Sequence, residues 1–275
     1  MLSELFEVSP SGYLKWLNRK PSKWALEEPR LVAEVKAAHT RTRESYGPKR
    51  LQEDLADNGI SIGLHRIKRI RKEQGIKCKQ KRKYKATTDS KHKLPVAENL
   101  LDRKFTVTAP NKVWLTDITY IDTKEGWLYL ASHKDMFNGE IVGYAMGERM
   151  TKNLVSHSLF RAVAAKRPEP GLIHHSDRGS QYCSTEYIKL LEQFKMTASM
   201  SRKGNCWDNA PMESFWGSLK NELVYHKRYA TRQEAMKDIQ EYIEIFYNRQ
   251  RKQARLDYLS PVAFERRYFE MQKAA

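Results

Sequence analysis

The chain has 275 residues, enough for two domains and a sizeable core, and its 50 Lys and Arg outnumber 33 Asp and Glu to give a formal charge of +17. That excess points to a polyanionic partner, and the absence of any run approaching about 20 apolar residues argues against a membrane-spanning protein. Three widely spaced cysteines, Cys78, Cys183 and Cys206, indicate neither a disulfide framework nor a paired Cys-x-x-Cys zinc site.

Residues 1–28 read as an N-terminal extension in which Ser9 or Ser11 caps a brief helix. Pro29 predicts the start of a helix running to about residue 43, with Leu31, Val35 and Ala38 on one side. Pro48 opens a second helix that stops at Asn58-Gly59. Ser61 then caps a third over roughly 62–73, where Ile62, Ile67 and Ile70 alternate with His65, Arg66, Lys68, Arg69, Arg71 and Lys72. Three short helices with a glycine turn and a basic last helix predict a small all-α, helix-turn-helix-like DNA-binding region over residues 29–85. His65, Arg66, Arg69 and Lys72 are its expected DNA contacts. The competing reading is a helical bundle with a solvated basic face. The basic run from Lys77 to Lys85 favours DNA, as does the charge distribution, since residues 1–105 hold a net +12 of the total. Residues 86–105 read as a linker, with a short helix expected near Ala97 to Leu101.

The remaining segment, residues 106–271, has the pattern of an α/β domain. The β-branched and aromatic run Val113-Trp-Leu-Thr-Asp-Ile-Thr-Tyr-Ile121 predicts a strand interrupted by Asp117. Trp127 to Lys134 and Glu140 to Met146 predict two more, joined by a tight Asn138-Gly139 turn into an antiparallel meander. A helix over about 153–165 leads to a short strand ending in Asp177, then a helix over about 184–194 and a strand near 197–200. Asp208 or Asn209 is expected to cap the next helix, with Pro211 in its first turn. Met212, Phe215, Trp216, Leu219 and Leu223 form its apolar stripe, while Glu213, Gly217 and Lys220 line its flank. Asn205, Trp207 and Asn209 are expected to shape a flap before it. Thr231-Arg-Gln-Glu234 reads as a capping box for a helix burying Ala235, Ile239, Tyr242, Ile243 and Phe246. Tyr247 to Arg255 reads as a basic loop, and Ser260-Pro261 starts a final helix reaching about residue 271.

Four strings then stand in order: Trp-Leu-Thr-Asp-Ile-Thr-Tyr, His-Ser-Asp-Arg-Gly-Ser-Gln-Tyr, Gly-Asn-Cys-Trp-Asp-Asn-Ala-Pro-Met-Glu-Ser-Phe-Trp and Tyr-Asn-Arg-Gln-Arg, with 35 residues between Asp177 and Glu213. Together they resemble the catalytic core of bacterial insertion-sequence DDE transposases, and among these the second-reading-frame product of the IS-three family, whose core is of the retroviral-integrase type. The resemblance implies a ribonuclease-H-like mixed five-stranded sheet flanked by helices. In that arrangement the first and fourth strands are neighbours, so that Asp117 and Asp177 meet.

It further implies that Asp117, Asp177 and Glu213 are the catalytic, metal-holding residues. Three converging carboxylates repel one another unless cations intervene, and oxygen ligands suit Mg²⁺, with Mn²⁺ able to substitute. Two ions about 4 Å apart are expected, with Asp117 bridging both. The reaction implied is strand cleavage and strand transfer at the ends of the element, with double-stranded DNA as partner and a homo-oligomer as the synaptic form. An upstream-frame product is a further expected partner. Lys220 matches the family's basic residue on the helix of Glu213 and is assigned a phosphate, while Arg178 and Gln181 are placed on the scissile strand. His174 and His175 are expected to pack within a strand rather than act as bases. A DNA-binding regulator with a silent core and a ribonuclease-H-like nuclease are the competing functions. The expected location is cytoplasmic, associated with the nucleoid.

Overall fold

The computed structural model describes residues 9–79, 95–103, 105–202 and 206–274, so most of the basic run after Lys79 and the first part of the expected linker lie outside the described residues. The chain divides into two compact units, Met1–Cys78 and Lys79–Ala275. Among the described residues no helix is long and apolar enough to cross a membrane.

The first unit is all helical. Helix α1 (Pro10–Leu17) is capped by the Ser9 hydroxyl, which accepts from Gly12 N at 3.0 Å, and it buries none of its residues. Helix α2 (Lys23–Arg41) begins six residues before the expected start and carries Pro29 within it. Ser22 supplies the cap, and the early turn is held from outside by arginines described below, which offsets the backbone hydrogen bond that Pro29 cannot donate. Helix α3 (Pro48–Asp57) opens on its proline as expected and closes at Gly59, whose φ of +76° lets Ile60 N reach back to Leu55 O at 2.9 Å. Helix α4 (Leu64–Glu73) follows Gly63 and has no side-chain cap, so Ser61 does not start it. Leu31, Val35, Ala38, Tyr46, Leu51, Leu55, Ile62, Ile67 and Ile70 close into one core. The apolar spacing predicts these positions apart from Tyr46, which lies between α2 and α3, while Ile62, expected within the third helix, stands just before it.

The second unit is built on a mixed sheet in the order β3-β2-β1-β4-β5. Its strands are β1 (Val113–Thr123), β2 (Gly126–Asp135), β3 (Ile141–Gly147), β4 (Ile173–Ser176) and β5 (Thr197–Met200). The first three form an antiparallel meander, while β4 pairs parallel with β1 at Val113–Leu115 and with β5. The sheet is therefore the expected one. One face is covered by helices α5 (Lys152–Lys166) and α6 (Thr185–Gln193). Against α5 the packing is close enough that a Cβ on Gly143 would lie 2.4 Å from Ala162 N, so only glycine fits there. Leu154, Val155, Leu159, Tyr187 and Leu191 join Trp114 and Ala131 in this core.

The other face carries helix α7 (Ala210–Glu222), helix α8 (Arg232–Glu241) and a more widely wound π-helical continuation, Tyr242–Gln250. Thr231 Oγ1 accepts from Glu234 N at 3.1 Å, while the Glu234 carboxylate accepts from Ala230 N at 2.8 Å, a capping box displaced by one residue. Ala235, Ile239, Tyr242, Ile243 and Phe246 are buried as expected. The expected basic loop is a correction. Tyr247–Gln250 remain helical, and Arg251 is buried in an ion pair with Glu222 at 2.7 Å. Asn248 completes β3, its Oδ1 accepting from Ile141 N at 2.9 Å and its Nδ2 donating to Ile141 O at 3.0 Å. Helix α9 (Pro261–Ala274) starts at the expected Ser260-Pro261 step. Residues 97–101 form no helix. Leu100 N donates to Ser199 Oγ, and Met200 N donates to Glu98 O, so this stretch lies along β5 and buries Leu101.

Candidate active site

Strand alternation sends Thr116 and His133 to the face of α5 and α6, and Leu115, Asp117, Ser132 and Lys134 to the face of α7. Among the described residues, three hydrogen bonds hold helix α7 and the residue before it to the sheet. Asn209 Nδ2 donates to Thr116 O at 3.3 Å, Lys134 Nζ to Pro211 O at 2.7 Å, and Trp216 Nε1 to Asp117 Oδ2 at 2.9 Å. Asp117 Oδ1 accepts from Ile118 N at 2.8 Å. Asn209 precedes the helix but makes no side-chain cap. Its amide bridges to β1 instead.

Asp177 follows β4 directly, and the parallel pairing of β4 with β1 sets it beside Asp117. Its Oδ1 accepts from Gly179 N at 2.9 Å. The adjacency is visible in the electrostatics, because burial first and the charge of Asp177 second push the Asp117 carboxyl up to about 7. Tyr182, whose hydroxyl meets Thr116 Oγ1 at 3.2 Å, is raised by burial and then by the same two aspartates. Glu213 sits in the first turn of α7, one turn before Trp216, and burial raises it too. Its charge acts on Asp117 more weakly than that of Asp177. Two of the three expected carboxylates are thus neighbours, with Glu213 at the margin. Among the described residues no three His, Cys, Asp or Glu side chains already form a cage for a metal ion. The donors fit a hard divalent cation nonetheless: all are carboxylate oxygens, and Asp117 meets neutral N–H donors that leave each oxygen a lone pair.

Lys220 lies two turns beyond Glu213 with its ammonium 5.0 Å from the centre of the Tyr120 ring. Burial lowers its pKa while Asp117 raises it, which puts the cation in the field of the site. Arg178 and Gln181, expected on DNA, are tied to the protein through Arg178 Nε to Ser201 O at 2.7 Å and Gln181 Nε2 to Met150 O at 3.3 Å. His174 and His175 are buried and hydrogen-bonded. His174 Nε2 meets His133 Nε2 and the Tyr187 hydroxyl at 3.0 Å each, and His175 meets Ser199 and Ser201. Burial pushes His174 down to about 3 and His175 to about 4, so both are neutral within the sheet.

Sequence reasoning missed the part played by Asp208, taken for a helix cap. Its side chain is 1% exposed and accepts from Arg202 N, Nε and Nη2, from Arg103 Nε and from Asn99 Nδ2, all at 2.9–3.0 Å. Arg202 foremost holds it well below the usual carboxylate range. The clamp joins residues 99–103, the end of β5 and the turn before α7. Asn205 lies outside the described residues, as does the side chain of Trp207.

In the first unit, Arg66 and Arg69 turn onto the start of helix α2. Arg66 donates to both Glu28 and Glu27, Arg69 donates to Glu28 at 2.6 Å, and their guanidinium groups lie 4.4 and 4.3 Å from the Trp24 ring centre. The acidic pair beside Trp24 was the available signal. His65, Lys68 and Lys72 remain exposed, at spacings of three and four residues that form one stripe of α4.

Comparison with known proteins agrees with this architecture. Integrase core domain family models match residues 107–206 and 213–269, and an HTH-like domain model matches residues 26–84. The uncharacterized 31 kDa protein of insertion element IS600 from Shigella sonnei is 57% identical over 270 residues, covering 98% of this chain and 99% of that one. Transposase InsF of insertion sequence IS3A from Escherichia coli (strain K12) is 36% identical over 266 residues, covering 96% and 92% of the two chains. Among solved structures, the HTLV-2 integrase catalytic core in complex with magnesium aligns at a TM-score of 0.46 and 15% identity, covering 58% of this chain and 99% of that one. With an HTH-like domain followed by an integrase core, and with near full-length identity to these relatives, the chain belongs to the IS3-type insertion-sequence transposases, a family of polynucleotidyl transferases.

Proposed function

We propose that this chain cleaves DNA at the ends of its insertion sequence and joins the freed ends to target DNA, using Asp117, Asp177 and Glu213. The observation that carries the reading is the placing of Asp117 on β1 beside Asp177 just past the neighbouring strand β4, where burial first and the charge of Asp177 second make the Asp117 carboxyl resist ionisation near neutral pH. Such a pair is costly in a bare protein and becomes favourable around a divalent cation. Asp117 and Asp177 would hold one of two cations, Mg²⁺ or Mn²⁺, and Asp117 with Glu213 the other. When bound, they would supply Lewis-acid activation of the attacking oxygen and charge stabilisation at the leaving 3′ oxygen.

The residues around the carboxylates do the positioning. Lys220, in the field of Asp117, offers a cation to a phosphate of the element end, and the neutral buried His174 and His175 keep the sheet rigid without accepting protons. In the first step water displaces the 3′ oxygen from phosphorus. In the second the freed 3′-hydroxyl attacks a target phosphodiester, so one bond to phosphorus forms as another breaks and no covalent enzyme intermediate is needed. Joining two ends calls for at least two copies of the chain on DNA.

The test is an oligonucleotide carrying the element end, incubated with Mg²⁺ and scored for nicked and for joined products. Asp117→Asn, Asp177→Asn and Glu213→Gln should each lose both products by at least about a thousandfold while retaining DNA binding. Nicking at the wild-type rate by Asp117→Asn refutes the assignment. Nicked products without joined ones would identify a nuclease instead.

A further inference from the structure

We infer that Trp216 is a positioning residue for this chemistry, its indole N–H setting the Asp117 carboxylate against the helix that carries Glu213. The inference rests on the proposed roles of the three carboxylates. Trp216 Nε1 lies 2.9 Å from Asp117 Oδ2, and the side chain is 7% exposed, its ring 4.8 Å from that of Phe215. Trp216 stands three residues after Glu213, on the same side of α7. The bond therefore links one acid directly to the helix that presents another.

The other two ties between α7 and the sheet end on main-chain oxygens, Thr116 O and Pro211 O, and fix only the backbone. Trp216 alone of the three reaches a carboxylate proposed to act. Asp117 Oδ1 is already oriented by Ile118 N, so the indole fixes the second oxygen and thereby the rotation of the whole group. Each oxygen keeps a lone pair for a ligand on its far side. Donors of this kind behind a ligating carboxylate set its direction, and their loss typically weakens metal binding about 10- to 100-fold.

Removing the N–H without changing shape separates this role from packing. The full chain carrying benzothienylalanine at position 216, sulfur replacing the indole nitrogen, is compared with wild type, Trp216→Phe and Asp117→Asn. Two quantities are read: the rise in unfolding temperature produced by Mn²⁺ alone, and the KM and kcat of nicking. The isostere should need about 10- to 100-fold more Mn²⁺ for the same rise, or show none, and lose kcat with KM for DNA unchanged, with Trp216→Phe behaving alike. An isostere whose Mn²⁺ response and kcat stay within twofold of wild type overturns the inference. If Asp117→Asn loses both properties while the isostere keeps them, the carboxylate assignment stands and the role of Trp216 alone falls. If Asp117→Asn itself responds and nicks as wild type does, the assignment is wrong and the inference goes with it.

Discussion

Replacing Lys134 with methionine should make the protein more stable and less active. Lys134 is 5% exposed, its ammonium donates to Pro211 O at 2.7 Å, and among the described residues no carboxylate pairs with it. Burial, with Arg255 and Arg251 nearby, pushes it from its ordinary 10.5 down to about 7. The folded protein thus binds fewer protons than the unfolded chain between about pH 7 and pH 10.5, so stability attributable to this group rises with pH across that window. The penalty is nearly complete at pH 7 and reaches its ceiling below about pH 6, about 5 kcal/mol at 1.36 kcal/mol per unit. Between pH 7 and pH 9 wild type recovers roughly 2–3 kcal/mol of it, which a methionine cannot. Methionine has a similar length, and the Pro211 carbonyl keeps its place in the helical ladder, so little else is lost. Urea unfolding at the two pH values measures the gap. The excess stability of Lys134→Met should shrink by about 2–3 kcal/mol from pH 7 to pH 9. A gap that stays constant, or a variant weaker at both values, would show that Lys134 is not a penalised ammonium. The nicking rate should fall all the same, because the first turn of α7 loses its tie to β2.

Two further outcomes follow from the other clusters. Lys68→Ala and Lys72→Ala together should reduce the slope of log affinity against log salt by about 2 for end DNA, whereas Arg66→Ala should leave the slope unchanged and lower the urea midpoint, because Glu27 and Glu28 lose the guanidinium they share and Glu28 keeps only Arg69; equal slopes for all variants would contradict the stripe. Asp208→Asn should cost about 1–3 kcal/mol at pH 7, discounted because Arg202 and Arg103 are each nearly half exposed. Since the folded carboxyl is held low, that contribution is present above the unfolded value near 4 and is lost as pH falls below it. Denaturation curves at pH 7 and pH 3 would show a shrinking gap, and one that widens in acid would refute the clamp.

Much of the core was legible because its periods are local. The alternation in residues 113–121, the turn at Asn138-Gly139 and the stripe from Ala235 to Phe246 each follow from side chains a few positions apart. The meeting of Asp117 and Asp177 was not local, and it came from resemblance, since no spacing states that β1 and β4 are neighbours. Direction was the other hidden quantity. Arg66 and Arg69 carry the same charge as Lys68 and Lys72, but an acidic pair 38 to 41 residues earlier captures them. Asp208 stands where a cap is expected, and three partners from elsewhere in the chain claim its carboxylate instead. The π-helical winding after Glu241 keeps the apolar stripe buried, so pattern alone extends the helix only to Phe246 and gives Tyr247–Gln250 to a loop.

The amide of Asn248 has a consequence for how copies of this chain meet. Strand β3 is outermost on one flank of the sheet, and its first peptide group is already matched by that side chain, as if by the next strand. On the opposite flank, Met200 N of β5 donates to Glu98 O and Leu100 N donates to Ser199 Oγ. Unpaired strand flanks are templates for strand-by-strand accretion, and here one end of each outer strand is engaged from within. Lengthening the sheet at those points would require these internal contacts to break first.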